Sequence, residues 1–159
     1  LFYFTGIRRI ELIELKCSNI DIDEGTIKVI GKRNKERLIP LLSQMRSQLL
    51  FLLKCQEEEQ IHRTSDLFFV SPKGEKLTEA FVYQTVKKYF NKVTTKSKKS
   101  PHVLRHSFAS HLLDQGAGIN SIKELMGHSS IAATQHYTHG SIATIKSIYK
   151  KTHPREKKE

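Results

Sequence analysis

Two arginines, two or three histidines and one tyrosine occur along this chain in an order suited to phosphodiester chemistry. They stand in Thr5-Gly6-Ile7-Arg8-Arg9-Ile10-Glu11-Leu12, Pro101-His102-Val103-Leu104-Arg105-His106, Leu125-Met126-Gly127-His128 and Thr134-Gln135-His136-Tyr137-Thr138-His139. A planar guanidinium grips two phosphate oxygens at once. A histidine beside it can donate a hydrogen bond or move a proton. A phenol, with an ordinary pKa of about 10, attacks well only where nearby positive charge favours the phenolate.

Each segment alone also has an ordinary reading. A single tyrosine most often packs, and an H-x-x-R spacing arises readily by chance. His102 and Arg105, at i and i+3, point the same way on a helix. Their face is not that of Leu104 and Leu112, so both are expected to reach outward. Arg8 shares a helical face with Leu12 and Leu15, which predicts a partly buried stem and a held head; a plain surface charge is the even alternative, with Arg9 its solvated neighbour. Gly31-Lys32-Arg33-Asn34-Lys35-Glu36-Arg37 is either a solvated hairpin tip or a lysine finger that gives a proton to a leaving oxygen. His102 and His106 have the i, i+4 spacing of H-E-x-x-H helices, but Val103 replaces the glutamate and no third ligand is near. No metal is expected.

The elements that must position these groups are legible as periodicities. Arg8 to Cys17 reads as helix, with Ile10, Ile13 and Cys17 on one stripe. Residues 20–30 alternate around the turn Asp23-Glu24-Gly25, a hairpin, and 36–40 supply a third strand that Pro40 ends. Leu41 to Gln60 reads as a long helix, and Leu67 to Val70 as a short strand or extended segment. Thr78 is the expected N-cap of a helix to about Lys92, with Phe81, Val82, Val86, Tyr89 and Phe90 facing inward. A positive loop at 94–100 precedes a helix whose core stripe is Leu104, Phe108 and Leu112, with Ala109 and Leu113. Ser121-Ile122-Lys123-Glu124 fits a capping box, and Gly127 a helix stop. A short helix at 131–137 and a last helix from Ser141, with Ile142, Ile145, Ile148 and Tyr149 on its stripe, complete a mostly helical α+β domain with a small antiparallel sheet.

The 159 residues suffice for one domain with a real core. With 27 Lys and Arg against 16 Asp and Glu, the net charge is +11. That charge favours a polyanionic partner, nucleic acid before an acidic membrane surface. The apolar run Leu49-Leu50-Phe51-Leu52-Leu53 is far short of the roughly 20 residues that span a bilayer, so no membrane partner is expected. No signal-peptide pattern opens the chain, and a cytoplasmic setting is expected. Cys17 and Cys55 read as ordinary thiols. Leu1-Phe2-Tyr3-Phe4 begins in mid-helix, which implies a piece of a longer protein.

Taken together, these segments resemble the catalytic domain of the tyrosine recombinase (phage integrase) family, most of all its Xer-type bacterial members. The resemblance runs from Thr5 to about His139. The Thr5–Leu12 segment resembles the first arginine box and makes Arg8 its catalytic arginine. Gly31 to Pro40 resembles the β-hairpin segment and makes Lys32 the catalytic lysine. His102 to Leu113 resembles the second box, giving His102 and Arg105; Leu125 to His128 resembles the third, giving His128; Thr134 to His139 resembles the nucleophile segment, giving Tyr137. Ile10 departs from the small residue usual after the arginine pair.

The resemblance implies a catalytic domain of the DNA breaking-rejoining type over residues 1–152, a charged tail at 153–159, and the absence of the family's separate N-terminal DNA-clamping domain. It implies strand cleavage and rejoining through a 3′-phosphotyrosyl intermediate, with no cofactor, metal or ATP. The partner is double-stranded DNA, bound by a tetramer on paired sites, with the C-terminal helix docked on a neighbouring protomer and a monomer allowed off DNA. Backbone phosphates are expected at Lys32, Arg33, Lys35, Arg37, Lys96, Lys98 and Lys99. The helix after Thr78 is expected to read the major groove through Glu79, Gln84, Lys87 and Lys88. Chromosome-dimer resolution, phage integration and transposon movement are all compatible roles. The rivals are a non-catalytic DNA-binding module, a type IB topoisomerase and a metal-dependent nuclease.

Overall fold

The computed structural model describes residues 1–31, 34–95, 98–127, 147 and 151. Two short helices open it, α1 (Phe2–Thr5) and α2 (Arg9–Ile13), separated by Gly6. Gly6 has φ +60, and a Cβ there would lie 2.5 Å from Phe108 Cδ1. Only glycine combines that backbone with so close an approach. The helix expected to run through Cys17 ends at Ile13, and a 3₁₀ turn at Cys17–Asn19 follows. Ile10 does not join the core stripe; it is exposed.

Three antiparallel strands follow in the order β1 (Ile20–Asp21), β2 (Thr26–Ile30) and β3 (Glu36–Pro40), as the alternation predicted. Ile27 pairs with Ile39 and Val29 with Arg37. The period of two sends Ile27, Val29, Arg37 and Ile39 to one buried face. Helix α3 (Ser43–Glu58) contributes Met45 and Leu49 to the core. Residues 67–70 form an extended segment held by single bridges, Lys16 to Leu67 and Val70 to Lys76.

Helix α4 (Glu79–Val93) starts where Thr78 caps it, its hydroxyl accepting from the Phe81 N–H at 3.1 Å. Val82 is buried, but Phe81 and Tyr89, expected inside, are exposed. Phe81 lies about 100° around the helix from Val82. Tyr89 and Val93 continue the stripe of Val82 and Val86, yet exposure climbs from 6% at Val82 to 62% and 79%. The helix thus leaves the core towards its C-terminal end.

Helix α5 (Pro101–Asp114) lies along α1, with the Tyr3 hydroxyl 2.7 Å from His111 Nδ1. Phe108 and Leu112 are its buried stripe, while Leu113 is exposed. Helix α6 (Ile119–Met126) has Gly118 as N-cap, so Ser121 lies inside it and is not the expected cap. Ile122, Leu125 and Met126, at i, i+3 and i+4, form its buried face. Gly127, at φ +63, stops the helix as expected. Each fully buried Phe, Ile or Leu in this core contributes roughly 1.5–3 kcal/mol. The shared core of α1, α5, α6 and the sheet therefore fixes the end of α6 firmly. Among the described residues no helix is long and apolar enough to cross a membrane. The helices expected at 131–137 and from Ser141 fall outside the described residues.

Candidate active site

The end of α6 is where the two singled-out arginines meet. An α-helix leaves its last carbonyls without intrahelical donors, at the negative end of its dipole. Here three consecutive carbonyls each receive a different guanidinium. Arg37 Nε donates to Leu125 at 2.8 Å, Arg105 Nη2 to Met126 at 2.6 Å, and Arg8 Nη2 to Gly127 at 2.9 Å. Arg105 Nη1 also donates to the Gly6 carbonyl, which ties α5 to the α1–α2 turn.

Arg8 is not on the helical face foreseen for it. It is the N-cap of α2, with extended backbone at φ −78, ψ 155. Glu11, one turn on, accepts from the Arg8 N–H at 2.8 Å, half of a capping box. The same carboxylate pairs with Arg8 Nη1 at 2.6 Å, leaving the Arg8 side chain 28% exposed. Its head is held, as expected of a partly buried arginine. Arg105 was expected to reach outward beside His102. His102 is exposed in the first turn of α5, but Arg105, a turn later, is buried. The carbonyls of Gly6 and Met126 draw it inward.

Arg37 requires a correction. Its place in a cationic segment marked it as a phosphate contact, but its side chain is only 5% exposed. It forms a fork with Glu11, Nη1 to Oε1 at 3.0 Å and Nη2 to Oε2 at 2.8 Å. A guanidinium so enclosed cannot face a DNA backbone. Two features of the sequence bear on this pairing: Arg37 stands two residues before buried Ile39 on a strand, and Glu11 stands i+3 from Arg8.

Around this cluster three guanidiniums face one carboxylate, so two positive charges are unmatched among the described side chains. Burial first, and then the charges of Arg8 and Arg37, lower the Arg105 pKa from 12.5 to about 10. It stays protonated at neutral pH in a place that disfavours its charge. An anion seated there would relieve that cost. Each guanidinium has more N–H donors than these bonds use. Among the described residues no group of three or more His, Cys, Asp or Glu side chains could hold a metal ion.

Glu11 has the opposite balance. Burial alone would raise its pKa, but the hydrogen bond and charge of Arg37, with the Arg8 bonds, bring it from 4.5 down to about 2. A depressed carboxylate stabilises the fold fully above its unfolded value and loses that contribution as pH falls towards the folded one. We expect roughly 3 kcal/mol of stability to disappear between about pH 4.5 and 2, at about 1.4 kcal/mol per unit. Urea midpoints measured across that window should fall in the parent and much less in Glu11→Gln. Equal slopes in both would show that Glu11 is not the titrating group.

Of the other singled-out residues, Lys35, Gln84, Lys87, Lys88 and Lys98 are exposed. Lys99 donates to Asn91 at 2.7 Å, and Glu79 is ion-paired with Arg9, joining α4 to α2. Lys32, Arg33, Lys96, His128 and Tyr137 lie outside the described residues.

The Phage integrase family matches residues 1–143 of the chain. Among curated proteins, tyrosine recombinase XerC of Pelotomaculum thermopropionicum is 40% identical over 98% of this chain and 52% of its own length. Tyrosine recombinase XerD of Staphylococcus haemolyticus is 36% identical over 98% and 53%. Among solved structures, XerA recombinase aligns with a TM-score of 0.74 at 27% identity, covering 92% of this chain and 54% of that one. XerH recombinase bound to its difH substrate, in a pre-cleavage complex, aligns at 0.72 and 29%, covering 93% and 44%. The chain thus spans about half the length of the curated relatives it matches. With the family matched over residues 1–143 and the fold shared with Xer recombinases, the chain belongs to the phage integrase family.

Proposed function

We propose that this chain is the catalytic part of a site-specific DNA recombinase that breaks and rejoins strands through a phosphotyrosyl ester. The observation that carries the reading is the meeting of Arg8 and Arg105 on the adjacent carbonyls of Gly127 and Met126, with positive charge in excess. The next residue in the chain is His128. XerH, a relative of this fold, is described with a DNA substrate before and after cleavage, which supports DNA as the partner here.

In this mechanism Tyr137 Oη attacks a DNA phosphorus atom, and the bond to the 5′-oxygen breaks. Arg8 and Arg105 neutralise the non-bridging oxygens as the pentavalent state forms, and His128 adds a hydrogen bond there. Such fixed electrostatics is usually the largest catalytic contribution. His102 takes part in removing the tyrosine's proton, and Lys32 gives a proton to the departing 5′-oxygen. The 3′-phosphotyrosyl ester keeps the bond energy, so a 5′-hydroxyl of a partner strand reverses the step without ATP. Two exchanges recombine two duplexes, within a tetramer whose C-terminal helices dock between neighbours, in a cytoplasmic setting.

Trapping tests the reading. The protein is incubated with nicked duplexes that release the 5′-hydroxyl fragment, then denatured. A covalent adduct through a 3′-phosphate is expected. Its absence across a library of nicked sites, with DNA bound, would leave a binding module.

Affinity is expected to come from backbone phosphates. The logarithm of the binding constant should fall with the logarithm of salt, with a slope of about −0.9 per phosphate neutralised. Lys98→Ala and Lys99→Ala should each reduce that slope by about one. Titrations at several salt concentrations check this, and an unchanged slope in both variants removes the loop from the interface.

A further inference from the structure

We propose that Arg37 is a positioning residue for strand cleavage: by binding Glu11 and the Leu125 carbonyl together, it sets the spacing between Arg8 and Arg105. The inference rests on the reading of Arg8 and Arg105 as phosphate-neutralising groups. Arg37 stands on β3, opposite Val29 of β2. It touches three separate parts of the chain. Its fork holds both oxygens of Glu11, at 3.0 and 2.8 Å, and Oε1 of that carboxylate is the atom that holds Arg8 at 2.6 Å. Its Nε holds Leu125, the carbonyl immediately before the two that receive Arg105 and Arg8. It also fills the space beside two glycines: a Cβ on Gly127 would lie 3.0 Å from Arg37 Nη1, and one on Gly31 3.8 Å from it. Gly31 precedes Lys32, and Gly127 precedes His128.

A buried charge pair is a poor stabiliser compared with well-packed apolar side chains. Position 37 lies opposite Val29 and beside Ile39, where an aliphatic side chain would complete the apolar face without desolvating a cation. What arginine supplies there is a rigid, planar set of donors that reaches three acceptors in fixed directions. Glu11 is faced by Arg8 at its own helix start and by Arg37 from β3, with the Arg105 charge from α5 also acting on it. If Arg37 is replaced, the fork that fixes both Glu11 oxygens is lost and the Glu11 pKa rises, so Glu11 holds Arg8 less firmly.

The test compares Arg37→Met, Arg37→Lys and the double variant Glu11→Gln/Arg37→Met with the parent. Three quantities are read for each: single-turnover cleavage on a nicked duplex, DNA affinity with its salt slope, and affinity for orthovanadate by thermal shift. Arg37→Met should cleave about 100-fold more slowly, the scale of a small displacement of a catalytic group, while DNA affinity and salt slope stay parental. Its vanadate affinity should fall about tenfold, although Arg37 does not touch the anion, and the acid limb of its cleavage profile should move to higher pH. Arg37→Lys keeps the charge and the fold but not the fork, and should still cleave about tenfold more slowly. The double variant removes both members of the Glu11–Arg37 pair, so neither is left buried without the other, which separates misfolding from misplacement; it too should cleave slowly.

Parental cleavage and vanadate affinity in Arg37→Lys, or in the double variant, would overturn the proposal, since charge balance alone would then explain Arg37. A salt slope reduced by about one in Arg37→Met would overturn it differently, by making Arg37 a phosphate contact. If the parent forms no adduct on any duplex, the proposed function fails, and the vanadate titration still decides whether Arg37 shapes the anion site.

Discussion

Tyr137→Phe is expected to bind DNA as the parent does and to form no covalent adduct. The substitution removes a single oxygen, neutral at ordinary pH, so the electrostatic attraction that dominates backbone binding is untouched. The nucleophile of the proposed reaction is gone, and nothing else on the ring can bond to phosphorus. Loss of an attacking group typically lowers turnover by roughly 10⁴-fold or more, so adduct on a nicked duplex should drop below detection on a denaturing gel. Parallel binding titrations should overlay. An adduct formed by the phenylalanine variant would remove Tyr137 from the mechanism, whereas a large loss of DNA binding would make its role structural.

The second large effect is expected at the arginines. Arg8→Ala and Arg105→Ala should each slow cleavage by about 10²–10³-fold, the usual cost of losing one preorganised donor to a developing oxyanion. DNA affinity should fall far less, because many other cations contact the backbone. The two variants should differ in stability. Arg8 is partly exposed, so its removal mainly affects rate. Arg105 is buried and donates to the carbonyls of Gly6 and Met126. Alanine there leaves both without that donor, at about 1–3 kcal/mol each. Cleavage at saturating DNA, binding and urea unfolding separate these effects. Equal losses in rate and affinity would show that the arginines only anchor the duplex.

Much of the local structure could be read directly because it follows short-range rules. The alternation around Gly25 announced the hairpin, Thr78 announced the start of α4, and Gly127 the stop of α6. The rule failed where a helix outran its core, as at Tyr89, and where a helix began ahead of the Ser121 box, as at Gly118. Arg37 is the instructive case. Its neighbours Lys32, Arg33 and Lys35 made it look like one more surface charge, although the strand period placed it with Ile39. Composition of a segment outweighed direction within it.

The sequence by itself determined the family, the order of the chemical segments and the sheet, because spacing and side-chain type are written along one dimension. The assembly of the arginines was decided only by the tertiary fold. Arg8 reaches a carbonyl 119 residues later, Arg105 one 99 residues earlier, and Arg37 a carboxylate 26 residues before it. Charges so far apart in the chain are brought into hydrogen-bond range only when α5 packs on α1 and α6, and α6 on β3. Whether a cation then faces solvent, a carboxylate or a carbonyl depends on which helix end its head group meets.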